Sequence, residues 1–406
     1  MERPMQLLGQ ISDVGKDSRR GGYSRPVFST AETDLRGWFV AAARQRGLQV
    51  ETDRNSIIWA WWGEPGPDAV VTGSHLDSVP GGGAYDGPLG VASALSAIDL
   101  MRRRGQKPGR PLAVAVFPEE EGSRFGVACI GSRLLSGSID PDKARNLTDA
   151  DGNTLAEVFR ANGTDPEHLG MDSERLAGIG RFVELHIEQG RGQIDLQAPV
   201  AVASSILGHG RWRLSFGGQG NHAGTTLMTD RSDPMVAAAQ AVVDIRRIAA
   251  AHPGARGTVG RISPIPGGTN VIASRVDLWM DVRHQADEVT AAIVEEIHAA
   301  GRRIAADEGC TVTLSEESLS PTVQFHPGLA SELLGVLGDV PVLESGAGHD
   351  AGVLAASLPT AMLFVRNPTG VSHAPQEEIE TADADAGAVA LADVLAHLTD
   401  AEAAPR

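Results

Sequence analysis

The stretch Gly73-Ser-His75-Leu-Asp77-Ser, followed by Gly81-Gly-Gly-Ala-Tyr-Asp86-Gly, decides the architecture of this chain. It places one histidine and two carboxylates within twelve residues, at the end of an apolar run and among glycines. This arrangement is typical of a metal site at the mouth of a parallel sheet. The rest of the chain then has to supply the remaining ligands.

Three predicted buried strands each end at a potential metal ligand. Residues 68–75 form the first and end at His75, and residues 111–117 form the second, just before Glu119-Glu120-Glu121. Residues 181–186 form the third and end at His186. Ligands in open α/β sheets lie beyond the carboxyl ends of the strands. The three segments therefore predict one site at one edge of a sheet.

The middle of the chain carries a different pattern. Predicted strands lie at 211–216, 257–262, 275–282 and 310–314, and predicted helices lie at 234–251 and 288–306. The resulting order β-α-β-β-α-β is that of a ferredoxin-like domain. From residue 321 the chain brings two more histidine segments, so it returns to the first domain. We therefore predict an α/β fold with a split catalytic domain and a mixed sheet (1–207 and 324–406), plus an inserted ferredoxin-like α+β domain (208–323).

Composition excludes several classes of protein. The 406 residues are 42% apolar and 21% charged, which is ordinary for a globular protein. A net charge of −17 argues against binding to nucleic acid or to an anionic membrane. No apolar run approaches the roughly 20 residues that span a bilayer, and the N-terminus lacks the apolar region of a secretory signal. Cys129 and Cys310 are too few and too far apart for a disulfide framework, so we expect a cytoplasmic protein.

Five side chains form a candidate metal-ligand set of nitrogen and oxygen donors: His75, Asp86, Glu121, His186 and His373. Such donors suit zinc, manganese or cobalt. Five ligands are too many for one tetrahedral catalytic site that keeps a position open. They fit two ions that share a bridging carboxylate, about 3.5–4 Å apart. Asp77 could orient the His75 imidazole, and Asp86 has the alternative of capping the helix predicted at 88–101.

The Glu119-Glu120-Glu121 run has two interpretations. A solvated acidic turn is the ordinary one. At a metal site, one carboxylate would instead bind metal while its neighbour takes a proton from the attacking water. The residues alone do not decide between Glu120 and Glu121 for these two roles.

The inserted domain carries candidate substrate contacts. His222 lies in a glycine-rich frame at 217–226 and could reach an active site to stabilise an oxyanion. Asn270 and Arg283 could hold a substrate carboxylate, with Arg283 supplying a bidentate fork. A surface salt bridge is the alternative for Arg283. His349, in the first domain, is either an active-site contact or part of a structural pair with Asp350.

The motifs together resemble a known group of enzymes. They are Gly73–Gly87, Glu119-Glu-Glu-Gly-Ser-Arg-Phe125, His186-Ile-Glu-Gln-Gly190, Asn221-His-Ala-Gly-Thr-Thr226, Gly348-His-Asp-Ala351 and Ser372-His-Ala-Pro375. In this order they resemble the N-carbamoyl-L-amino-acid hydrolase, β-ureidopropionase and allantoate amidohydrolase group of two-metal hydrolases. The resemblance covers roughly residues 30–395. The His186 frame is its branch marker, because related peptidases usually have a carboxylate there.

The resemblance implies a role for each matched residue. Asp86 would bridge two metals, one held by His75 and His186 and the other by Glu121 and His373. Glu120 would be the general base, and His222 would stabilise an oxyanion in the partner subunit of a homodimer formed through the inserted domain. Gln189, Asn270 and Arg283 would contact the substrate carboxylate.

The expected reaction is hydrolysis of the terminal ureido group of an amino-acid-like acid with release of ammonia. Allantoate and N-carbamoyl-L-amino acids are the leading substrates, and the expected cofactors are two divalent ions (zinc, manganese, cobalt or nickel). One alternative is a two-metal aminoacylase or dipeptidase, against which the His186 frame argues. Another is a catalytically inactive binding relative, although Glu120 and all five ligands are present.

Overall fold

The computed structural model describes residues 2–400. Its strands are β1 (Gln49–Thr52), β2 (Ile58–Trp62), β3 (Ala69–His75), β4 (Leu112–Phe117), β5 (Ile179–Ile187), β6 (Val200–Ile206), β7 (Gly208–Gly217), β8 (Asn221–His222), β9 (Arg256–Ile265), β10 (Val271–Ile272), β11 (Arg275–His284), β12 (Thr311–Ser320), β13 (Val323–Gln324), β14 (Val342–Ser345) and β15 (Thr360–Val365). Its α-helices are α1 (Pro4–Gln10), α2 (Thr30–Gln45), α3 (Pro88–Arg103), α4 (Ile130–Ser136), α5 (Pro141–Arg145), α6 (Leu155–Ala161), α7 (Ser173–Gly178), α8 (Gly192–Leu196), α9 (Pro234–Ala251), α10 (Asp287–Asp307), α11 (Pro327–Leu337), α12 (Asp350–Leu354) and α13 (Thr381–Thr399). Short 3-10 turns lie at Pro166–His168 and Met228–Asp230.

Contacts between residues divide the chain into two compact units. The first contains the residues up to Ser204 and those from Gln324 onward, and the second is Ser205–Val323. The second unit is therefore an insertion in sequence between two parts of the first.

A nine-stranded mixed sheet organises the first unit. Its strands run in the order β1-β2-β4-β3-β5-β15-β6-β13, with β14 paired to β6. The central four, β4, β3, β5 and β15, are mutually parallel. Every residue of β3, β4 and β15 is buried, which is why these strands read as continuous apolar runs rather than alternating ones. The predicted α/β class with a mixed sheet is confirmed.

Close packing around β3 depends on a glycine. A Cβ at Gly73 would lie 2.1 Å from the carbonyl oxygen of Ala115 on β4, far inside van der Waals contact. Helix α3 begins at Pro88, as the sequence predicts, because proline suits the first turn of a helix. Most of α3 is buried in the main core of this unit. The segment between β3 and α3 is thereby held at the carboxyl end of the sheet.

The second unit is a four-stranded antiparallel sheet in the order β12-β7-β11-β9, packed against α9 and α10. Its elements follow one another as β-α-β-β-α-β, with β8 and β10 forming a separate two-stranded pair. Trp212, Leu214 and Phe216 are buried on one face of β7, while alternate residues are exposed or half-buried. This alternation is expected for a sheet with one covered face.

Among the described helices, none combines the length and the hydrophobicity that crossing a bilayer would require. Both cysteines are free thiols, and Cys129 is buried whereas Cys310 is partly exposed.

Candidate metal centre

The carboxyl ends of the central parallel strands bring the predicted ligands together. His75 is the last residue of β3, His186 lies next to the end of β5, and Glu121 follows β4. Asp86 lies in the loop before α3, and His373 lies between β15 and α13. Since these strands are parallel neighbours, their ends meet at one edge of the sheet.

His75 and His186 present their Nε2 atoms to the same carboxylate oxygen. The Nδ1 atom of His75 is 3.0 Å from the carbonyl oxygen of Asp77, and that of His186 is 2.9 Å from the carbonyl oxygen of Ile187. A carbonyl only accepts, so each Nδ1 carries a proton and donates it, and Nε2 is the ring nitrogen that faces Asp86. The Nε2 atoms lie 3.5 and 3.1 Å from Asp86 Oδ1. Both are buried without a hydrogen-bond partner among the described residues.

The second oxygen of Asp86 faces a different pair of side chains. His373 Nε2 lies 3.4 Å from Asp86 Oδ2 and 3.3 Å from Glu121 Oε2. The donor atoms of His75, Asp86 and His186 lie within 4.8 Å of one another, as do those of Asp86, Glu121 and His373. Asp86 is thus common to two three-residue groups of potential ligands.

The Asp86 side chain is free to face both ligand groups because it does not cap helix α3. The N-cap of α3 is Gly87, and no side chain caps it. Gly87 has a φ of +85°, and a Cβ there would lie 2.5 Å from Cε1 of His75. Glycine therefore serves both the left-handed turn and the close approach of the His75 ring. The alternative interpretation of Asp86 as a helix cap is wrong.

The three consecutive glutamates have three different environments. Glu119 is buried, and its Oε1 accepts the backbone N–H groups of Arg124 and Phe125 at 2.9 and 2.7 Å. Glu120 is also buried, with Oε2 3.6 Å from His75 Nε2. Glu121 faces His373, as described above. A solvated acidic turn is therefore not what this segment forms.

Asp77 acts differently from the expectation that its carboxylate orients His75. The backbone carbonyl makes the hydrogen bond to the imidazole, while the nearest carboxylate oxygen is 3.7 Å from Nδ1. The carboxylate instead accepts the N–H groups of Glu120 at 3.2 Å and Glu121 at 3.1 Å. Asp77 therefore links the His75 turn to the glutamate turn.

The site concentrates acidic groups away from water. Burial raises the pKa of Glu120 well above its usual value and that of Glu121 to about 7. Burial would also raise the pKa of Asp86, but the three imidazoles beside it, His186 first, hold it well below its usual range. The hydrogen bond to Asp86 raises the pKa of His373 to about 9. A divalent cation is the natural counter-charge for such a cluster.

His349 and Gln189 both lie at this centre. The His349 ring is buried, with its centroid 4.5 Å from that of His186 and its Nδ1 3.7 Å from Glu120 Oε1. Burial and the neighbouring His186 hold the pKa of His349 well below its usual value. Gln189 Nε2 donates to Asp86 Oδ2 at 2.7 Å.

The remaining predicted site residues lie in the second unit. His222 is exposed on β8, where its Nδ1 accepts the N–H of Gly224 at 3.1 Å. Asn270 is exposed just before β10, and its carbonyl accepts the N–H of Ala223 at 2.9 Å. Arg283 on β11 directs Nε and Nη2 at the carboxylate of Asp281, at 2.6 and 3.0 Å. The fork of Arg283 thus forms an ion pair on its own strand.

Glu377 also belongs to the centre, although no sequence motif identified it. Its buried Oε1 accepts the N–H groups of Tyr85 at 2.8 Å and Asp86 at 3.1 Å. It thereby holds the loop that presents Asp86. Its position four residues after His373 was the signal that could have identified it.

Comparisons with known proteins place this arrangement among hydrolases. Residues 71–397 match the family described as Peptidase family M20/M25/M40. The N-carbamoyl-L-amino acid amidohydrolase of Geobacillus stearothermophilus is 36% identical over 412 residues, covering 99% of each chain. The allantoate amidohydrolase of Escherichia coli is 30% identical, covering 97% of each chain. A crystal structure of a hydantoinase/carbamoylase family amidase from Burkholderia multivorans superimposes with a TM-score of 0.86 at 30% identity, over 99% of this chain and 98% of that one.

Proposed function

Because the chain belongs to the M20/M25/M40 peptidase family, we propose that it is a metal-dependent amidohydrolase of ureido acids. It cleaves the terminal carbamoyl C–N bond of an amino-acid-like acid, either allantoate or an N-carbamoyl-L-amino acid, and releases ammonia. The relatives' names, over nearly the full length of both chains, support this reaction class. The observation that carries the proposal is the division of the two Asp86 oxygens between two ligand groups, with Glu120 beside them.

Two divalent ions fit the residues at this centre. The Nε2 atoms of His75 and His186 are buried without hydrogen-bond partners among the described residues, and each Nδ1 faces a backbone carbonyl, an arrangement that orients an imidazole toward a metal. His75 and His186 would hold one ion, Glu121 and His373 the other, and Asp86 both. Imidazole and carboxylate donors suit zinc, manganese, cobalt or nickel. When bound, such ions polarise the scissile carbonyl and make water more acidic.

Glu120 is the proposed general base. Its Oε2 lies beside His75, one of the proposed metal ligands, whereas its Oε1 faces the buried Cys129. Oε2 is therefore the oxygen that would take a proton from the attacking water. Glu120 then delivers that proton to the leaving nitrogen, which departs as ammonia. Burial of Glu120 excludes bulk water that would otherwise compete for the proton.

Residues of both units are proposed to bind the substrate. Gln189 lies beside Asp86, and its Oε1 is buried without a hydrogen-bond partner among the residues described. Asn270 and Arg283 would contact the substrate carboxylate, which requires Arg283 to exchange its present partner Asp281. His222 would stabilise the developing oxyanion.

We propose a homodimer that forms through the second unit. Strand β9 ends the sheet order, so its outer edge has no strand partner among residues 2–400. Nearby apolar side chains are exposed, including Val243 on α9 (67%) and Ile262 on β9 (46%). An open edge beside an apolar surface favours pairing with another copy. Light scattering should give a dimer mass for the wild type and a monomer mass for Val243→Glu, whereas a monomeric wild type would contradict the proposal.

Subunit complementation tests whether His222 acts in the partner's site. Glu120→Gln and His222→Ala homodimers should each be inactive. A mixed dimer contains one site with an intact Glu120 and, from the other subunit, an intact His222. Recovery of activity on mixing supports action between subunits, and its absence in verified mixed dimers opposes it.

The reaction itself is tested by ammonia release. Protein loaded with manganese or zinc is assayed against allantoate, N-carbamoyl-L-amino acids and N-acetyl-amino acids. We expect ammonia from a ureido acid, and loss of that signal in Glu120→Gln but not in the exposed-site control Glu378→Gln. Acid release from N-acetyl-amino acids without ammonia would instead identify an aminoacylase. Silence on all substrates with metal bound would favour a catalytically inactive relative.

We place the enzyme in the cytoplasm, which agrees with its two free thiols.

A further inference from the structure

A buried cysteine, Cys129, contacts Glu120 on the side of the carboxylate opposite the metal-ligand candidates. Cys129 is 3% exposed, and its Sγ donates to Glu120 Oε1 across 3.8 Å. The backbone N–H of Cys129 also donates to the carbonyl oxygen of Glu120 at 2.8 Å. The cysteine thus contacts both the backbone and the carboxylate of the proposed base.

The two oxygens of the Glu120 carboxylate have different surroundings. Oε1 has the Cys129 thiol at 3.8 Å and the His349 Nδ1 at 3.7 Å. Oε2 lies 3.6 Å from His75 Nε2, on the side of the metal ligands. Anchoring of Oε1 therefore leaves Oε2 directed toward His75 and the other proposed metal ligands.

The backbone at Cys129 is strained in a way that serves this contact. Its φ of +58° and ψ of +39° are left-handed, a conformation that favours glycine. Strained conformations of this kind persist where surrounding structure enforces them and cluster at functional sites. Glu119 and His373, at the same centre, are left-handed as well. A cysteine at a position where the backbone favours glycine points to a requirement for the side chain.

We propose that Cys129 is a positioning residue for the general base, which rests on the proposed function of Glu120. The thiol donates its proton to Oε1 and holds the carboxylate with Oε2 toward the metal ligands. Burial raises the pKa of the Cys129 thiol well above its usual value, so the thiol keeps the proton that it donates.

Kinetics of three variants separate positioning from packing. Cys129→Ala and Cys129→Gly remove the donor, and we expect kcat to fall about tenfold to a hundredfold with KM unchanged, since small misplacements of a reacting group have effects of this size. Cys129→Ser keeps a hydroxyl donor and should recover most of the lost kcat. Cys129→Gly suits the left-handed backbone, so it should fold with a wild-type melting temperature. Wild-type kcat in the alanine and glycine variants, or a change in KM alone, would overturn the proposal.

An infrared measurement tests the contact without any activity. In a Cys310→Ser background, Cys129 supplies the single S–H stretching band. We expect that band at lower frequency than a free thiol, and we expect it to move upward in Glu120→Gln because a neutral amide is a weaker acceptor. An identical band in both proteins would refute the hydrogen bond. Since the band is independent of turnover, failure of the proposed reaction and failure of this inference give different results.

Discussion

Replacement of Glu377 by alanine should loosen the loop that carries Asp86, the proposed bridging ligand. The Glu377 carboxylate accepts two backbone N–H groups, from Tyr85 and Asp86, through one buried oxygen. Alanine leaves both donors without that acceptor in a site that water enters poorly. We therefore expect two linked effects, a less stable fold and weaker metal binding.

The size of the effect follows from these contacts. Each buried donor left unsatisfied costs about 1–3 kcal/mol, so two cost about 2–6 kcal/mol. Glu377 Oε2 is itself buried without a hydrogen-bond partner among the described residues. Its removal therefore stabilises the variant by about 1–3 kcal/mol, which offsets part of this loss. The net loss of unfolding free energy is about 1–3 kcal/mol. Outer-sphere partners of metal ligands typically change affinity about 10- to 100-fold, so metal binding should weaken by that factor.

Urea denaturation and calorimetric titration with zinc or manganese measure the two effects. Glu377→Gln keeps an acceptor oxygen and should lose less than half as much stability as Glu377→Ala. Glu378→Ala alters the exposed neighbouring glutamate and should match the wild type. Wild-type urea midpoint and metal affinity in Glu377→Ala would refute the assignment of Glu377 to this loop.

Three further outcomes follow from the same geometry. Gly87→Ala places a Cβ 2.5 Å from the His75 ring at a positive φ, so metal affinity measured by calorimetry should fall at least about tenfold, and an unchanged affinity would contradict this. Gly73→Ala places a Cβ 2.1 Å from the Ala115 carbonyl and should abolish soluble expression, whereas Gly37→Ala, with open space around it, should express normally. Removal of metal with EDTA should lower the melting temperature by about 5–10 °C, because ligand at about 100 times its Kd contributes about 2.7 kcal/mol and each kcal/mol corresponds to about 2–4 °C. An EDTA-insensitive melting temperature would argue against resident metals.

The parts of the fold that the sequence predicts well are those with a local signal. The buried parallel strands ending at His75 and His186 are short apolar runs whose length and flanks define them. Helix α9 begins and ends at the predicted residues, and α10 extends one residue beyond the prediction at each end. The rule that ligands collect at the carboxyl ends of parallel strands then brings the ligand segments together.

The parts that escaped prediction depend on contacts between distant segments. Glu377 and Tyr85 are 292 residues apart, so no local pattern links them. Cys129 is a lone cysteine in sequence, and its contact with Glu120 follows from a left-handed turn that no propensity predicts. The sequence identifies Asp77 as a partner of His75, but it predicts the carboxylate as the acceptor, whereas the backbone carbonyl accepts the hydrogen bond. Which of the two groups reaches the imidazole depends on the backbone direction, which the sequence pattern does not show.

The position of β15 in the sheet has a consequence for how the chain matures during synthesis. β15 lies between β5 and β6, yet it leaves the ribosome only after the whole inserted unit has been made. Until then β5 and β6 each present an unpaired edge, which is the kind of surface that recruits chaperones or aggregates. His373 emerges later still, so a nascent chain can assemble one three-ligand group before the other exists. If metals bind as proposed, the second group of ligands is complete only after nearly the whole chain has been synthesised.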